Sequence, residues 1–295
     1  MHGSSTWRGL AKTTRDGVLW HTPRLQKVVR AAARQGCLPP AVWRRLHPRG
    51  VWTLHAPDGT PFRYDSSYEH DGLARHIVWT DMRDWEAGTQ AVLFDLAKRA
   101  RVFVDVGAYS GIYTVLACVA NPALHAVAFE PNPRKLPQIT SNVTANGIQD
   151  RVTVVGKALS AKAGTARLSI PADDSTATLN AFVPGAGVAD VPVTTGDLAL
   201  AGLDVGLVKI DVEGLENDVL TGMAGVLGVH RPKIIAECLD QAALDDLTGS
   251  TRGFGYSFAY RIDRDGPVPA GHQGFRPANY LFTSEPMNGR MMPNV

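Results

Sequence analysis

From residue 101 onward the chain moves back and forth between two kinds of hydrophobic pattern. Short, mostly apolar runs rich in Val, Ile and Phe fall near 102–106, 125–130, 152–156, 206–211, 233–238, 255–261 and 279–283. They are too short for helices and suit strands covered on both faces. Between them, apolar positions three and four apart predict helices near 111–120, 133–146, 215–227 and 239–249. This alternation predicts an α/β fold, a mostly parallel seven-stranded sheet with helices on both faces. The stretch 157–195 breaks the rhythm. Two β-like runs, 166–170 and 191–194, flank a Gly/Ser/Thr/Asp segment. They predict a hairpin excursion, with a loop around 171–187 that could lie over a site at the strand ends.

Residues 1–84 follow a different pattern, and 1–22 carry no strong period. A helix is expected over 23–34, with Pro23 in its first turn and Gly36 past its end, and another over 40–46, stopped by Pro48. The runs 51–55 and 61–64 flank Asp58-Gly59, a hairpin turn signal. Helices are expected over 67–79 and 85–100, the second with Val92, Leu93, Leu96 and Ala97 on one face. The expected organisation is a basic helical extension with a β-hairpin (1–84), capping one catalytic domain (85–295).

Charge is close to balanced at +2 but unevenly placed. Residues 1–50 hold ten Lys/Arg against Asp16 alone, and the remainder twenty against twenty-seven acids. A basic arm can serve nucleic acid, an acidic membrane surface or a phosphorylated substrate, or pack against the acidic body. It lacks the interleaved aromatics that stack bases, and its acid-poor, Arg-rich composition also resembles an organelle transit peptide. No apolar run approaches the ~20 residues that span a bilayer. The first thirty residues lack the apolar centre of a secretory leader. Cys37, Cys118 and Cys238 are odd in number and far apart, as expected of thiols in a reducing compartment. A cytoplasmic protein without a membrane partner is expected. A homo-oligomer is compatible with the sequence.

The chemistry begins at residues 101–111, where Val102, Phe103, Val104 and Val106 lead through Asp105 into Gly107, Tyr109, Ser110 and Gly111. Strand, glycine turn and helix follow in that order, a geometry that lets a ligand approach the backbone and meet free N–H groups. The next strand ends in Glu130-Pro131, placed to accept hydrogen bonds from both hydroxyls of a ribose. The dinucleotide fingerprint Gly-x-Gly-x-x-Gly is missing. Asp105 would repel a pyrophosphate but not a ligand with a ribose, an ammonium and no phosphate, and S-adenosyl-L-methionine is such a ligand. Asp105 either orders the turn or reaches the ammonium through water. Tyr109 and Ser110 lie in the turn beside the ligand, and Ala158 and Leu159, after the third strand, lie where the adenine would be. Glu130 could instead merely cap the next helix.

In the fourth strand, Val208-Lys209-Ile210-Asp211-Val212-Glu213-Gly214, alternation puts Lys209 and Asp211 on one face, with Asp211 at the exit. Methyl transfer to a hydroxyl needs an acceptor held in line and a group to take its proton. Asp211 is the first candidate and Glu213 the second, unless both cap the helix expected from Leu215. Asp211, Glu213 and Glu237 could also approach one another and hold a divalent cation.

Four segments in order and spacing resemble the FkbM-type methyltransferases: 102–111, 129–133, 208–214 and 231–237. The resemblance covers about residues 85–285. It implies a class I, S-adenosyl-L-methionine-dependent fold and O-methylation of a hydroxyl on a sugar, polyketide or other secondary metabolite. It carries cofactor roles to Asp105, Gly107, Gly111 and Glu130 and the family's acidic motif to Asp211 and Glu213. Tyr109 departs from the Asn common in that turn. The competing readings are a nucleic-acid methyltransferase using the basic arm and a nicotinamide-dependent oxidoreductase. The first lacks the Asp/Asn-Pro-Pro-aromatic motif after the fourth strand, so no nucleic-acid partner is expected. The second lacks its third glycine.

Overall fold

The computed structural model describes residues 22–68, 71–171, 177–180 and 183–287. The chain begins with helices α1 (Pro23–Arg34) and α2 (Pro40–Trp43), the hairpin β1 (Val51–His55) and β2 (Pro61–Asp65), then α3 (Ala74–Ile77) and α4 (Ala87–Ala97). The alternating body follows: β3 (Val102–Val106), α5 (Ile112–Ala120), β4 (His125–Phe129), α6 (Leu136–Ala145) and β5 (Val152–Val155). The excursion consists of β6 (Ala158–Leu159), β7 (Gly164–Ile170) and β8 (Gly187–Thr194). The chain returns through α7 (Gly196–Ala199), β9 (Val205–Ile210), α8 (Glu216–Gly222), α9 (Ala224–His230), β10 (Lys233–Cys238) and α10 (Gln241–Arg252). It closes with β11 (Phe258–Asp263), β12 (Gly266–Pro269) and β13 (Ala278–Thr283).

The main sheet runs β12-β11-β13-β10-β9-β3-β4-β5. Its five strands from β5 to β10 are parallel, and β13 enters antiparallel between β10 and β11. These are the seven expected strands, with β12 added as an edge. The chain builds outward from β3 through β4 to β5, then crosses back to place β9 on the other side of β3. That reversal opens a crevice beyond the C-terminal ends of β3 and β9, where open α/β sheets hold their ligands.

Period two along the strands divides the core. Phe103, Ala126, Ala128, Leu207 and Ile235 face one layer; Val104, Val106, Phe129, Val208 and Ile210 face the other. The first layer contains Leu116 of α5 and Leu93 of α4 together with Trp43, Leu54, Phe62, Ile77 and Trp79 from the N-terminal elements. The cap and the sheet therefore share one core. The second layer is filled by Val219, Leu220 and Leu227 of α8 and α9 and by Leu244 and Leu247 of α10.

Several expectations need correction. The helix expected over 67–79 shrinks to α3, because Asp71 is held by tertiary bonds. It accepts from Tyr64 Oη (2.8 Å) and Gln138 Nε2 (2.6 Å), and locally from Ala74 N (3.1 Å) at the start of α3. The single helix expected over 215–227 is two, joined at Met223, whose ψ of 15° leaves the helical range. The described part of the basic arm packs on the rest of the chain, as expected, with Arg30 and Arg34 pairing with Asp81 at 3.0 and 3.2 Å. Residues 1–21 of that arm lie outside the described residues. Among the described residues no helix is long and apolar enough to cross a membrane. Cys37 is exposed, Cys118 and Cys238 are buried, and all three are free thiols.

Candidate active site

The turn after β3 is built from backbone bonds that only a glycine permits. Gly107 N and Ala108 N both donate to Phe129 O at 3.0 Å, drawing the turn against the end of β4. Gly107 has φ +81°, and a Cβ there would stand 2.0 Å from Asp211 O. No larger residue fits between β3 and the exit of β9. Gly111, at φ +75°, caps α5, and its added Cβ would press Ile139 Cγ2 at 3.0 Å.

Glu130 stands at the next strand end with 6% exposure. Its Oε2 accepts from Tyr109 N (2.7 Å) and its Oε1 from Asn132 N (2.8 Å). Each oxygen keeps a lone pair for a ligand. Burial pushes the carboxyl up to about 7 despite those two donors. Tyr109 takes the left-handed φ of 52° that aims its N–H at Glu130, and its hydroxyl accepts from Gly72 N at 3.0 Å. Tyr109, where the resemblance expects Asn, thus ties the cap to the glycine turn. Lys135 Nζ sits 4.1 Å from the centre of its ring.

Across the crevice, Asp211 N donates to Val106 O at 3.0 Å, holding the end of β9 beside β3. Lys209, 2% exposed, donates from Nζ to Asp211 Oδ2 at 2.7 Å, the same-face pair that strand alternation predicts. Burial alone would lower that ammonium, but Asp211, Glu86 and Asp105 together hold it above its ordinary range. Its other side lies over the Tyr113 ring, 4.7 Å from the centroid. The loop after β9 is held by Glu216, whose Oε1 accepts from Gly214 N (3.1 Å) and Val212 N (3.4 Å). Capping was the structural alternative for Asp211 and Glu213. Helix α8 takes no side-chain cap, and both carboxylates stand on the cavity wall. Glu213 adopts φ 58°, and its carboxyl is raised by burial and by Asp211 and Glu216.

These residues enclose a cavity of ≈ 430 Å³, within the ordinary range for small-molecule sites. Gly107, Tyr109, Glu130, Pro131, Ala158, Leu159, Asp211 and Glu213 all line it, with Lys157 and Glu237. Three expected cofactor residues stand behind the wall. Asp105 shares the Phe103 face under α5, where its Oδ2 accepts from Thr114 Oγ1 at 2.6 Å and burial raises its carboxyl. It joins strand to helix. Ser110 is fully buried, with its carbonyl accepting from Asn142 Nδ2 at 2.8 Å. Gly111 is the start of the helix. The excursion does contribute to the cavity through Leu168, Ala177 and Leu179, while 172–176 and 181–182 of its loop lie outside the described residues.

Motif reasoning missed the wall supplied by the cap and α5: Leu73, His76, Trp85, Glu86 and Tyr113. Glu86, at φ 41°, accepts through Oε2 from Tyr113 Oη (2.6 Å) and from Asn279 Nδ2 (3.0 Å), and burial raises its carboxyl. No spacing in the sequence announces it. Among the described residues no three His, Cys, Asp or Glu side chains converge as metal ligands. Asp211, Glu213 and Glu237 therefore do not form the cation site that their order along the chain allowed.

Residues 105–258 match the family model described as the methyltransferase FkbM domain. Over 249 residues the chain is 25% identical to the 31-O-demethyl-FK506 methyltransferase FkbM of Streptomyces tacrolimicus, covering 72% of this chain and 92% of the relative. Among solved structures, the methyltransferase FkbM of Methylobacillus flagellatus KT is 18% identical with a TM-score of 0.45. That match covers 62% of this chain but only 43% of the other. An O-methyltransferase from Thermotoga maritima is 12% identical with a TM-score of 0.41, covering 79% of this chain and 91% of that one.

Proposed function

The chain belongs to the FkbM methyltransferase family, and we propose that it is an S-adenosyl-L-methionine-dependent O-methyltransferase acting on a hydroxyl of a small molecule, a sugar or polyketide of secondary metabolism. The observation that carries this reading is Glu130, a buried carboxylate held by two backbone donors at the cavity wall, with a lone pair left on each oxygen. The surrounding donor set fits the same cofactor. Five carboxylates line the cavity (Glu86, Glu130, Asp211, Glu213 and Glu237) against two lysines, one of them already bonded to Asp211. Such a field favours a cationic, phosphate-free ligand and disfavours a dinucleotide or a nucleic-acid strand.

Glu130 would hold the ribose hydroxyls, the backbone of Lys157, Ala158 and Leu159 the adenine edge, and the apolar Leu159, Leu168 and Leu179 its faces. When bound, the cofactor supplies an electrophilic methyl carbon on a sulfonium. The protein's part is then to exclude water, align the acceptor and receive its proton. Asp211 and Glu213 are the acceptor-facing acids of this reading, with Asp211 oriented by Lys209. Support for the acceptor class comes from the relative named for 31-O-demethyl-FK506, and the free thiols suit a cytoplasmic setting.

Transfer of tritium from methyl-labelled S-adenosyl-L-methionine to a panel of sugars, macrolides and short RNAs tests the reading. Label in a sugar or macrolide supports it. Label in RNA, or calorimetric binding of NAD in place of S-adenosylhomocysteine, would overturn it.

A further inference from the structure

A second cavity, of ≈ 590 Å³, adjoins the first and opens between the segment before α4 and the β11–β12 hairpin. Glu86 and Glu237 are the two residues that line both cavities. The junction is therefore where an acceptor entering from outside would meet a cofactor held inside, and an acid must stand there to take the hydroxyl proton. The carboxylates around it differ in what they already hold. Glu86 accepts from Tyr113 and Asn279, and Asp211 accepts from the Lys209 ammonium. Glu237, half-buried on β10, accepts no side-chain or backbone donor through its carboxylate among the described residues.

From this difference we propose that Glu237, and not Asp211, is the group that receives the acceptor's proton, and that the outer cavity is the acceptor's berth. The assignment rests on the cofactor occupying the inner cavity. As the hydroxyl oxygen bonds to the methyl carbon, that carbon's bond to sulfur breaks with its electron pair going to sulfur. The hydroxyl proton passes to a Glu237 oxygen and from there to water through the outer cavity. Asp211 is a positioning residue in this scheme, since one of its oxygens is already taken by Lys209. Glu237 is faced by Asp211 and Glu213 from the loop after β9, by Lys209 of β9 and by Glu86 ahead of α4. Its antiparallel neighbour on β13 is the neutral Asn279. Burial, followed by the three acids, pushes its carboxyl up to about 7, which suits a base working near neutrality.

Sinefungin, which carries an amine where the cofactor carries its sulfonium methyl, tests this without knowledge of the acceptor. Calorimetry is run with sinefungin and S-adenosylhomocysteine on wild type, E237Q, E237D and D211N. Expected is a fall of at least about tenfold in sinefungin affinity for E237Q, the ordinary worth of a charge-assisted hydrogen bond. S-adenosylhomocysteine should bind E237Q as it binds wild type, which also shows that the variant is folded. E237D should recover part of the loss, and D211N should change the ratio of the two affinities by less than about threefold. An unchanged ratio in E237Q, or a loss carried by D211N instead, overturns the assignment while leaving the cofactor reading intact. Wild type binding neither compound overturns both.

Discussion

Glu130→Gln isolates the carboxylate on which the cofactor reading depends. The side chain keeps its size, and the two backbone donors at 2.7 and 2.8 Å then meet an amide with one acceptor oxygen instead of two. In the folded chain, burial moves this carboxyl from 4.5 to about 7. The displacement corresponds to about 3 kcal/mol of disfavoured ionisation. Between pH 4.5 and 7 the folded chain holds a proton that the unfolded chain has released. The contribution of Glu130 to stability therefore falls as pH rises through that window and is level above it. Urea unfolding of wild type and E130Q from pH 4.5 to 8.5 reads this directly. The difference between the two is expected to move against wild type by about 3 kcal/mol, mostly between pH 5 and 7. Taking the difference cancels the other raised acids, Glu86 and Glu237 among them. In parallel, S-adenosylhomocysteine should bind E130Q about tenfold more weakly at pH 8, where the wild-type carboxylate is ionised and a ribose would lose one acceptor. A stability difference that stays flat with pH, or rises with it, would refute the burial argument. Unchanged ligand affinity would remove the ribose assignment.

Gly107→Ala should destabilise by about 3 kcal/mol, adding left-handed strain to the 2.0 Å approach of its new Cβ to Asp211 O. Gly147→Ala, also at positive φ but with nothing within 4 Å, should cost only about 1 kcal/mol, so equal shifts in the urea midpoint would contradict the packing account. Asp211→Asn should lower methyl transfer at least about tenfold while moving S-adenosylhomocysteine affinity far less, because it releases Lys209 without touching the Glu130 side. Single-turnover kinetics beside calorimetry measure that split, and normal turnover would reduce Asp211 to a structural residue. Tyr113→Phe removes the 2.6 Å bond into Glu86 and should cost about 1–2 kcal/mol in thermal unfolding; no change would mean that Glu86 finds another donor.

The parts of this protein that can be read along the chain are those whose geometry repeats over a few residues. Val102 to Val106 is buried at every position, so β3 shows as a short apolar run broken only by Asp105. Gly107 and Glu130 stand out because a strand that ends in a glycine turn, or in an acid, breaks its own pattern. Strand alternation was enough to pair Lys209 with Asp211. The same reasoning overreached at Asp105, Ser110 and Gly111. Sequence order places them at the turn, but whether a side chain faces a cavity or the underside of α5 depends on which neighbour covers it.

The strands, the glycine turn, the acid at the end of β4 and the acidic exit of β9 follow from sequence alone, because periodicity and turn chemistry act between near neighbours. The tertiary structure decides the rest: that Glu86 meets Asn279 across 193 residues, that Tyr109 fastens the cap to the turn, and that Glu237 stands between two cavities with its oxygens open. Contacts over such separations are made by the packing of whole layers and leave no period in the chain. The least legible part of the site is accordingly the wall shared between the two cavities.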